Sequence, residues 1–149
     1  MLSPLEYNIF DTISLIRPRL WCTMKEIVTS SMAPEPIGPY SQGVASSGFV
    51  FLSGQVGRKH DVTKLENGVA EQTKQAILNM KAVLAEKNLT LDNVVKTTVF
   101  LADMDDFAEM NGVYARFFDE KTAPARSTVQ VAGLPLAADM EIEAIASLG

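Results

Sequence analysis

A long amphipathic segment between two strand-like runs is the feature that most restricts how this chain can fold. Over residues 69–87, apolar side chains recur at the three- and four-residue intervals that mark one face of an α-helix. That face comprises Val69, Thr73, Ala76, Ile77, Met80, Val83 and Leu84. The flanking runs, residues 48–54 and 94–102, are rich in aromatic and β-branched residues, which favours strands. A helix between two strands predicts layers of both element types.

Shorter patterns predict the other elements. Residues 43–46 are expected to pair with the first strand as a hairpin, with a turn near Ser47 and Gly48. Residues 126–131 and 140–146 alternate in hydropathy, as strands do. A second helix is predicted over about residues 104–120, with Asp103 as its cap. Its apolar face comprises Phe107, Met110, Tyr114, Phe117 and Phe118.

The order ββαβαββ predicts an α+β fold in which two helices cover one face of a mixed β-sheet. Strands joined through a helix indicate crossover connections. The other face of the sheet would be bare in a monomer, and its apolar residues predict burial against a partner subunit.

Asn111 departs from the pattern of the second helix. It lies four residues after Phe107 and three before Tyr114, so helical spacing places its carboxamide on the buried face. Local contradictions of this kind concentrate at functional sites.

Composition restricts the class of protein. The chain has 149 residues, of which 47% are hydrophobic and 21% charged, as expected for one globular domain, which we assign to residues 24–149. The net charge of −5 argues against a nucleic-acid-binding surface. One cysteine, Cys22, and one histidine, His60, allow no internal disulfide and no zinc-site spacing, so we expect no metal. The sequence contains no Walker loop and no G-x-G-x-x-G motif, so a nucleotide cofactor lacks support and we expect no cofactor.

Residues 1–23 form a separate N-terminal extension, because Met24 could itself start translation. No apolar run is long enough to span a membrane, and the order of charges does not fit a secretory signal. Two acids, Glu6 and Asp11, weaken the interpretation as an organellar transit peptide, which is usually poor in acids. The expected location is the cytoplasm, or the mitochondrion if residues 1–23 act as a transit peptide.

Several residues have side chains suited to chemistry, although each also fits an ordinary structural role. Arg126 begins a strand and could hold a carboxylate through two hydrogen bonds, or it could form a surface salt bridge. Glu141 lies on an apolar strand and could act as acid or base, or it could simply face solvent. Tyr40 could donate a hydrogen bond. Ser53 and Gly54 end a strand, where glycine permits close approach of a ligand.

Five motifs occurring in order give these residues a shared context: IGPYSQ, FLSGQV, VVKTTVFLADMDDFAEMNGVYARFF, PARSTV and EIEAIA. Together they closely resemble the YjgF/RidA family of reactive intermediate (imine) deaminases over about residues 30–149. The resemblance implies a chorismate-mutase-like fold assembled as a homotrimer, with sites in clefts between subunits. It also implies hydrolysis of small 2-imino acids, such as 2-iminobutanoate and 2-iminopropanoate, to 2-oxo acids and ammonia.

The same resemblance assigns roles to individual residues. Arg126 is expected to bind the substrate carboxylate and Glu141 to position or activate water. Tyr40, Ser53, Gly54 and Asn111 match other residues of the family's site. Many members have cysteine two residues after the arginine, where this chain has Thr128, so a mechanism that needs that thiol would be excluded here.

Two other functions remain open at this stage. Some relatives are described as endoribonucleases, which would act on single-stranded RNA, but the negative net charge argues against stable binding of nucleic acid. A non-catalytic ligand-binding or chaperone-like trimer is the other alternative.

Overall fold

The computed structural model describes residues 25–149, so the predicted extension and Cys22 lie outside the described residues. The strands are β1 (Glu26–Val28), β2 (Gly43–Ser46), β3 (Phe49–Val56), β4 (Val94–Leu101), β5 (Ala125–Gln130) and β6 (Met140–Ser147). The helices are α1 (Gly68–Ala85) and α2 (Phe107–Tyr114). Short 3₁₀ turns precede β4, α2 and β6.

All six strands form one sheet in the order β1-β2-β3-β6-β4-β5. Only β4 and β5 pair in parallel, and every other neighbouring pair is antiparallel. The last strand therefore lies between β3 and β4, which run parallel to each other without touching. The mixed sheet with two helices confirms the predicted α+β fold, whereas the central place of β6 could not be read from periodicity.

The predicted apolar face of α1 is confirmed, since all seven of its residues are buried. They pack against inward-facing strand residues such as Val50, Val99 and Ile142, each 0% exposed. The opposite sheet face carries large apolar side chains that remain about half exposed, namely Ile27, Phe49, Phe51 and Val129. We call this surface the open face. Its presence confirms the prediction of one bare side.

Two elements differ from the sequence-based expectation. Strand β1 was not predicted, because three residues are too few for a pattern and only pairing with β2 defines them. Helix α2 ends at Tyr114 rather than near residue 120. The chain continues as tight turns in which the Phe118 amide still donates to the Tyr114 carbonyl at 3.2 Å. Phe118 consequently stacks on the Tyr114 ring at 4.4 Å, so the apolar spacing continues after the helix has ended.

The predicted turns and caps are mostly present. Ser47 (φ 50°) and Gly48 (φ 84°) connect β2 and β3 with left-handed backbone, as the hairpin prediction required. The Asp103 side chain accepts a hydrogen bond from the Asp105 amide at 2.9 Å and so caps the turn that leads into α2. Asn67 precedes α1, but its side chain makes no capping hydrogen bond.

The end of β3 is fastened closely to α1. The Asn79 carboxamide donates to the carbonyls of Val56 (3.2 Å) and Arg58 (2.9 Å). A methyl group on Gly57 would lie 2.2 Å from the Gln72 Cα, so only glycine allows the strand to approach the helix this closely. This junction fixes the direction in which the chain leaves β3.

Within residues 25–149, no helix has both the length and the hydropathy needed to cross a membrane.

Candidate active site

A cleft of about 420 Å³ opens where the C-terminal end of β3 meets the start of β6. It brings together four of the predicted site residues: Tyr40, Ser53, Gly54 and Glu141. The other residues that line it are Pro34, Glu35, Ile37, Gln42, Gln55, Val56, Arg58, Pro135, Leu136 and Glu143. Its size and its mixed apolar and charged lining are typical of a site for a small organic molecule.

A β-bulge shapes one wall of the cleft. Leu52 pairs with Ala144 and Gln55 with Ile142, so Ser53 and Gly54 add one extra residue to β3 relative to β6. The Ser53 hydroxyl donates to the Ser41 carbonyl at 2.6 Å, and its amide donates to the Gln42 carbonyl at 3.0 Å. Bulges locally redirect side chains and are frequent beside active sites.

Gln42 fixes the segment that carries Tyr40. Its buried carboxamide accepts a hydrogen bond from the Ser30 amide and donates to the carbonyls of Ser30, Ala33 and Pro34. A proline-rich segment without regular structure is thereby fastened to the sheet. Tyr40 remains half exposed at the cleft.

The Glu141 carboxylate lies directly against Gly54. A methyl group on Gly54 would be 1.7 Å from Glu141 Oε1 and 2.6 Å from its Cδ, so glycine provides the space the carboxylate occupies. Burial, and then the like charge of Glu143, raise the pKa of the Glu141 carboxyl above its ordinary value. A carboxylate with a raised pKa in a cleft is suited to accept a proton and to return it.

Arg126 lies elsewhere, on the edge strand β5. Its guanidinium stands over the ring of Tyr114 at 4.5 Å and over that of Phe107 at 5.8 Å. The Tyr114 hydroxyl is itself hydrogen-bonded to Thr97 at 2.9 Å, and Thr97 is the register partner of Arg126. Helical spacing places half-buried Asn111 between the two rings. Two aromatic faces thus hold the cation on the helix side of the sheet.

Thr128 lies on the same side, two residues after Arg126. Its register partner, Val99, is fully buried beneath the helices. The Thr128 hydroxyl oxygen is buried and has no hydrogen-bond partner among the described residues. This hydroxyl, near the Arg126 guanidinium, is therefore available to hydrogen-bond a ligand.

The predicted site residues consequently form two sets within one chain. The acid set comprises Tyr40, Ser53, Gly54 and Glu141, and the arginine set comprises Asn111, Arg126 and Thr128. Glu141 faces away from the helices, because its neighbours Met140 and Ile142 are the buried ones. Arg126 does not line the cleft. The sheet separates the two sets, so a single chain does not bring its own arginine to its own acid.

Sequence reasoning missed several residues that line the cleft. Arg58 and Glu35 line it, and the sequence analysis assigned neither of them to the site. The position of Arg58, two residues beyond a strand that ends in the site, was a usable signal. Nothing in the pattern indicated that Leu136 would adopt left-handed backbone (φ 60°) beside the cleft. His60 is exposed and does not line the cleft. In residues 25–149, no three His, Cys, Asp or Glu side chains are grouped to hold a metal ion.

The chain is similar to proteins of known families over nearly all of its described length. A family model described as Endoribonuclease L-PSP matches residues 30–148. A RutC family protein of Synechocystis is 48% identical over 128 residues, covering 85% of this chain and 98% of the relative. The mitochondrial protein MMF1 of Saccharomyces cerevisiae is 45% identical, with 80% and 81% covered. The chloroplastic Reactive Intermediate Deaminase A of Arabidopsis thaliana is 45% identical, with 83% and 66% covered.

A solved structure extends the similarity to the fold. The crystal structure of Escherichia coli TdcF with bound serine matches with a TM-score of 0.77 and 42% identity, and covers 82% of this chain and 98% of that one.

Proposed function

Since the chain belongs to the Endoribonuclease L-PSP family, to which the YjgF/RidA motifs also assign it, we propose that it is a reactive intermediate deaminase. It hydrolyses 2-imino acids, which equilibrate with 2-enamino acids, to 2-oxo acids and ammonia. The substrates proposed are 2-iminobutanoate and 2-iminopropanoate. Similarity to deaminases supports this proposal, and the observation that carries it is the half-buried Glu141 carboxylate held against Gly54 in the cleft.

The reaction starts with binding of the substrate carboxylate to Arg126 through two hydrogen bonds. Protonation of the imine nitrogen makes the imine carbon electrophilic, and a water molecule positioned by Glu141 adds to that carbon. A C–O bond forms while the proton of the water passes to Glu141, which gives a carbinolamine. Glu141 then returns that proton to the nitrogen, the C–N bond breaks, and ammonia leaves. Loss of the hydroxyl proton yields the 2-oxo acid, so the reaction consumes one water and requires no redox partner.

The other site residues complete the arrangement. The Ser53 hydroxyl already donates a hydrogen bond to the Ser41 carbonyl, so its oxygen is available to accept one from the attacking water. Tyr40 is a hydrogen-bond donor at the cleft. Asn111 and the unpartnered Thr128 hydroxyl are donors beside the carboxylate-binding guanidinium. Hydrolysis of an imine needs only water and a proton relay, so threonine in place of cysteine is compatible with this activity.

We also propose that the working site lies between two copies of the chain. The acid set and the arginine set lie on opposite faces of the sheet, so one copy must supply Arg126 and another Glu141. The apolar open face offers the surface for such an assembly, which we propose is a homotrimer, as in the family. A small amino acid, serine, is bound in the related TdcF structure, which supports a substrate of similar size.

The alternative activities receive less support from the cleft. Glu35, Glu141 and Glu143 line it, and acids repel the phosphates of RNA. We therefore do not favour an endoribonuclease, despite the name of the family model. A non-catalytic binding protein is distinguished by Glu141→Gln, because a binder would keep its ligand affinity while an enzyme would lose turnover.

The cellular location depends on residues 1–23. If translation starts at Met24, we propose that the protein acts in the cytoplasm. If residues 1–23 act as a transit peptide, it acts in the mitochondrion. Relatives include proteins named as mitochondrial and as chloroplastic.

The test is to add the purified protein to a threonine dehydratase reaction, in which 2-oxobutanoate should appear faster. Arg126→Ala should lower kcat/KM at least about 10- to 100-fold, because it removes charged hydrogen bonds to the substrate. Glu141→Gln should lower kcat about 100-fold or more, the usual contribution of a proton relay. Arg116→Ala, which removes an exposed arginine beyond α2, is the matched control and should behave as wild type. An unchanged rate in Arg126→Ala would show that the arginine does not bind the carboxylate.

A further inference from the structure

Arg58 is a charged residue of the cleft for which the proposed reaction has no use. It follows Val56, the register partner of Glu141, by two residues, so it stands just beyond the strand that carries the bulge. Its side chain lines the same cleft as Glu141. Among the residues that line this cleft, it is the one cation within the described part of the chain.

The guanidinium of Arg58 is held in place without a charged partner. Its Nη1 donates to the Val62 carbonyl at 3.2 Å and its Nη2 to the Glu35 carbonyl at 3.4 Å. Among residues 25–149, its buried Nε has no hydrogen-bond partner, and no carboxylate lies within 4.0 Å of the guanidinium. Each terminal nitrogen therefore retains one N–H group. An arginine fixed against the backbone, with its charge unpaired and N–H groups free, is suited to bind a carboxylate.

The cleft also offers free volume and an apolar wall for the carbon chain of a substrate. Ile37, Pro135 and Leu136 line it, and Ile37 and Leu136 are 70% and 49% exposed. A volume of about 420 Å³ exceeds what a three- or four-carbon imino acid fills, because pockets of this size accommodate considerably larger molecules. A substrate with a methylene side chain can thus lie along this wall with its far end near Arg58.

From these observations we propose that Arg58 binds the terminal carboxylate of dicarboxylic 2-imino acids, and that the chain hydrolyses substrates such as 2-iminoglutarate. This inference rests on the deaminase function proposed above. The α-carboxylate is bound by Arg126 of one copy, and the distal carboxylate by Arg58 of the copy that supplies Glu141. Each negative group of the substrate then has its own guanidinium.

The experiment compares substrates that differ only at the far end. Flavin-dependent oxidation of glutamate and norvaline generates 2-iminoglutarate and 2-iminopentanoate, and hydrolysis is measured as reduced trapping of the imine by semicarbazide. The six-carbon pair from 2-aminoadipate and norleucine tests a second length. For at least one pair, wild type should favour the dicarboxylic substrate in kcat/KM. Arg58→Met should lower this preference about 10- to 100-fold, the range for a lost charged hydrogen bond.

Two further variants give the controls. Arg58→Lys keeps the charge but loses the planar fork, so it should retain part of the preference. Lys59→Met removes the adjacent cation, which pairs with Glu66 at 3.0 Å, and should leave the preference unchanged. If the preference is equal in wild type and Arg58→Met, or absent at both lengths, Arg58 does not select the substrate.

A binding measurement separates failure of this inference from failure of the proposed function. Calorimetry compares the affinities of 2-oxoglutarate and 2-oxopentanoate for wild type and Arg58→Met. If 2-oxoglutarate binds through Arg58 but no imine is hydrolysed, the deaminase function is wrong and the carboxylate site stands. If imines are hydrolysed without any dependence on Arg58 in rate or binding, the deaminase function stands and the carboxylate site is wrong.

Discussion

At the scale of single residues, the chemistry depends on the surroundings of Glu141. Gly54 leaves space for the carboxylate, the strand walls partly bury it, and Glu143 adds a like charge from two residues away. The burial, and then the like charge of Glu143, favour the protonated form and raise the pKa of Glu141. In the proposed mechanism, the resting enzyme must have this carboxylate ionised in order to accept a proton from water.

The pH dependence of kcat/KM should therefore reflect the environment of Glu141. We expect kcat/KM to fall as the pH drops through the raised pKa of Glu141, at a pH above the range of an ordinary glutamate. Glu143→Gln removes the like charge, so the acid limb should move to lower pH. The exposed Glu86→Gln serves as the control and should leave the profile in place. Identical acid limbs in wild type and Glu143→Gln would contradict the assignment of this limb to Glu141.

The sequence proposes which residues form the candidate site, but it predicts their orientation only in part. Alternation around Met140 and Ile142 places Glu141 on the open face, as the structure has it. For β5 the pattern misleads, because Val129 is 42% exposed while Arg126 and Thr128 face the helices. An edge strand has few buried neighbours, so its hydropathy pattern carries little information about its inner side.

At the scale of elements, the junction of β3 and α1 positions the cleft. Asn79 fastens the carbonyls of Val56 and Arg58, and Gly57 allows the chain to pass directly over Gln72. The sequence predicted the apolar face of α1 but not these polar contacts. Buried carboxamides beside an apolar stripe have no periodic signal, and their partners lie in a loop that only the folded chain brings near.

Substitution of two glycines should show opposite effects on stability. Gly57→Ala places a methyl group 2.2 Å from the Gln72 backbone, so we expect a loss of about 1–3 kcal/mol in the free energy of unfolding. Gly112→Ala on α2 meets nothing within 4 Å and should gain about 0.5–1 kcal/mol, because alanine favours helix over glycine. Urea denaturation at one fixed protein concentration measures both. Equal stability of Gly57→Ala and wild type would show that this junction is not tightly packed.

At the scale of the whole molecule, the sheet separates two halves of the proposed site. The element types and the bare open face were predictable from periodicity, whereas the insertion of β6 between β3 and β4 was not. Pairing between distant parts of a chain depends on the competition among all strands, and no local pattern records it. The separation of Arg126 from Glu141 follows from the face that each side chain takes, and for Arg126 on the edge strand β5 the hydropathy pattern did not show that face.

Mixed assemblies should reveal that two chains share each site. Arg126→Ala and Glu141→Gln should each be nearly inactive alone. When the two are refolded together, about a quarter of the sites should receive an intact arginine and an intact acid by random assortment, and activity should return accordingly. Mixing Arg126→Ala with the double variant is the control and should stay inactive. If mixed oligomers form, as native mass spectrometry can establish, but no activity returns, each site belongs to one chain.

The central position of β6 also has a consequence for synthesis. Residues 140–147 leave the ribosome after the other five strands, yet they hold β3 and β4 together and include Glu141. Until they emerge, the earlier strands remain two separate groups with unpaired edges, which are prone to associate with other chains. A nascent polypeptide of this protein thus acquires its continuous sheet and its proposed proton-transferring group in the same step.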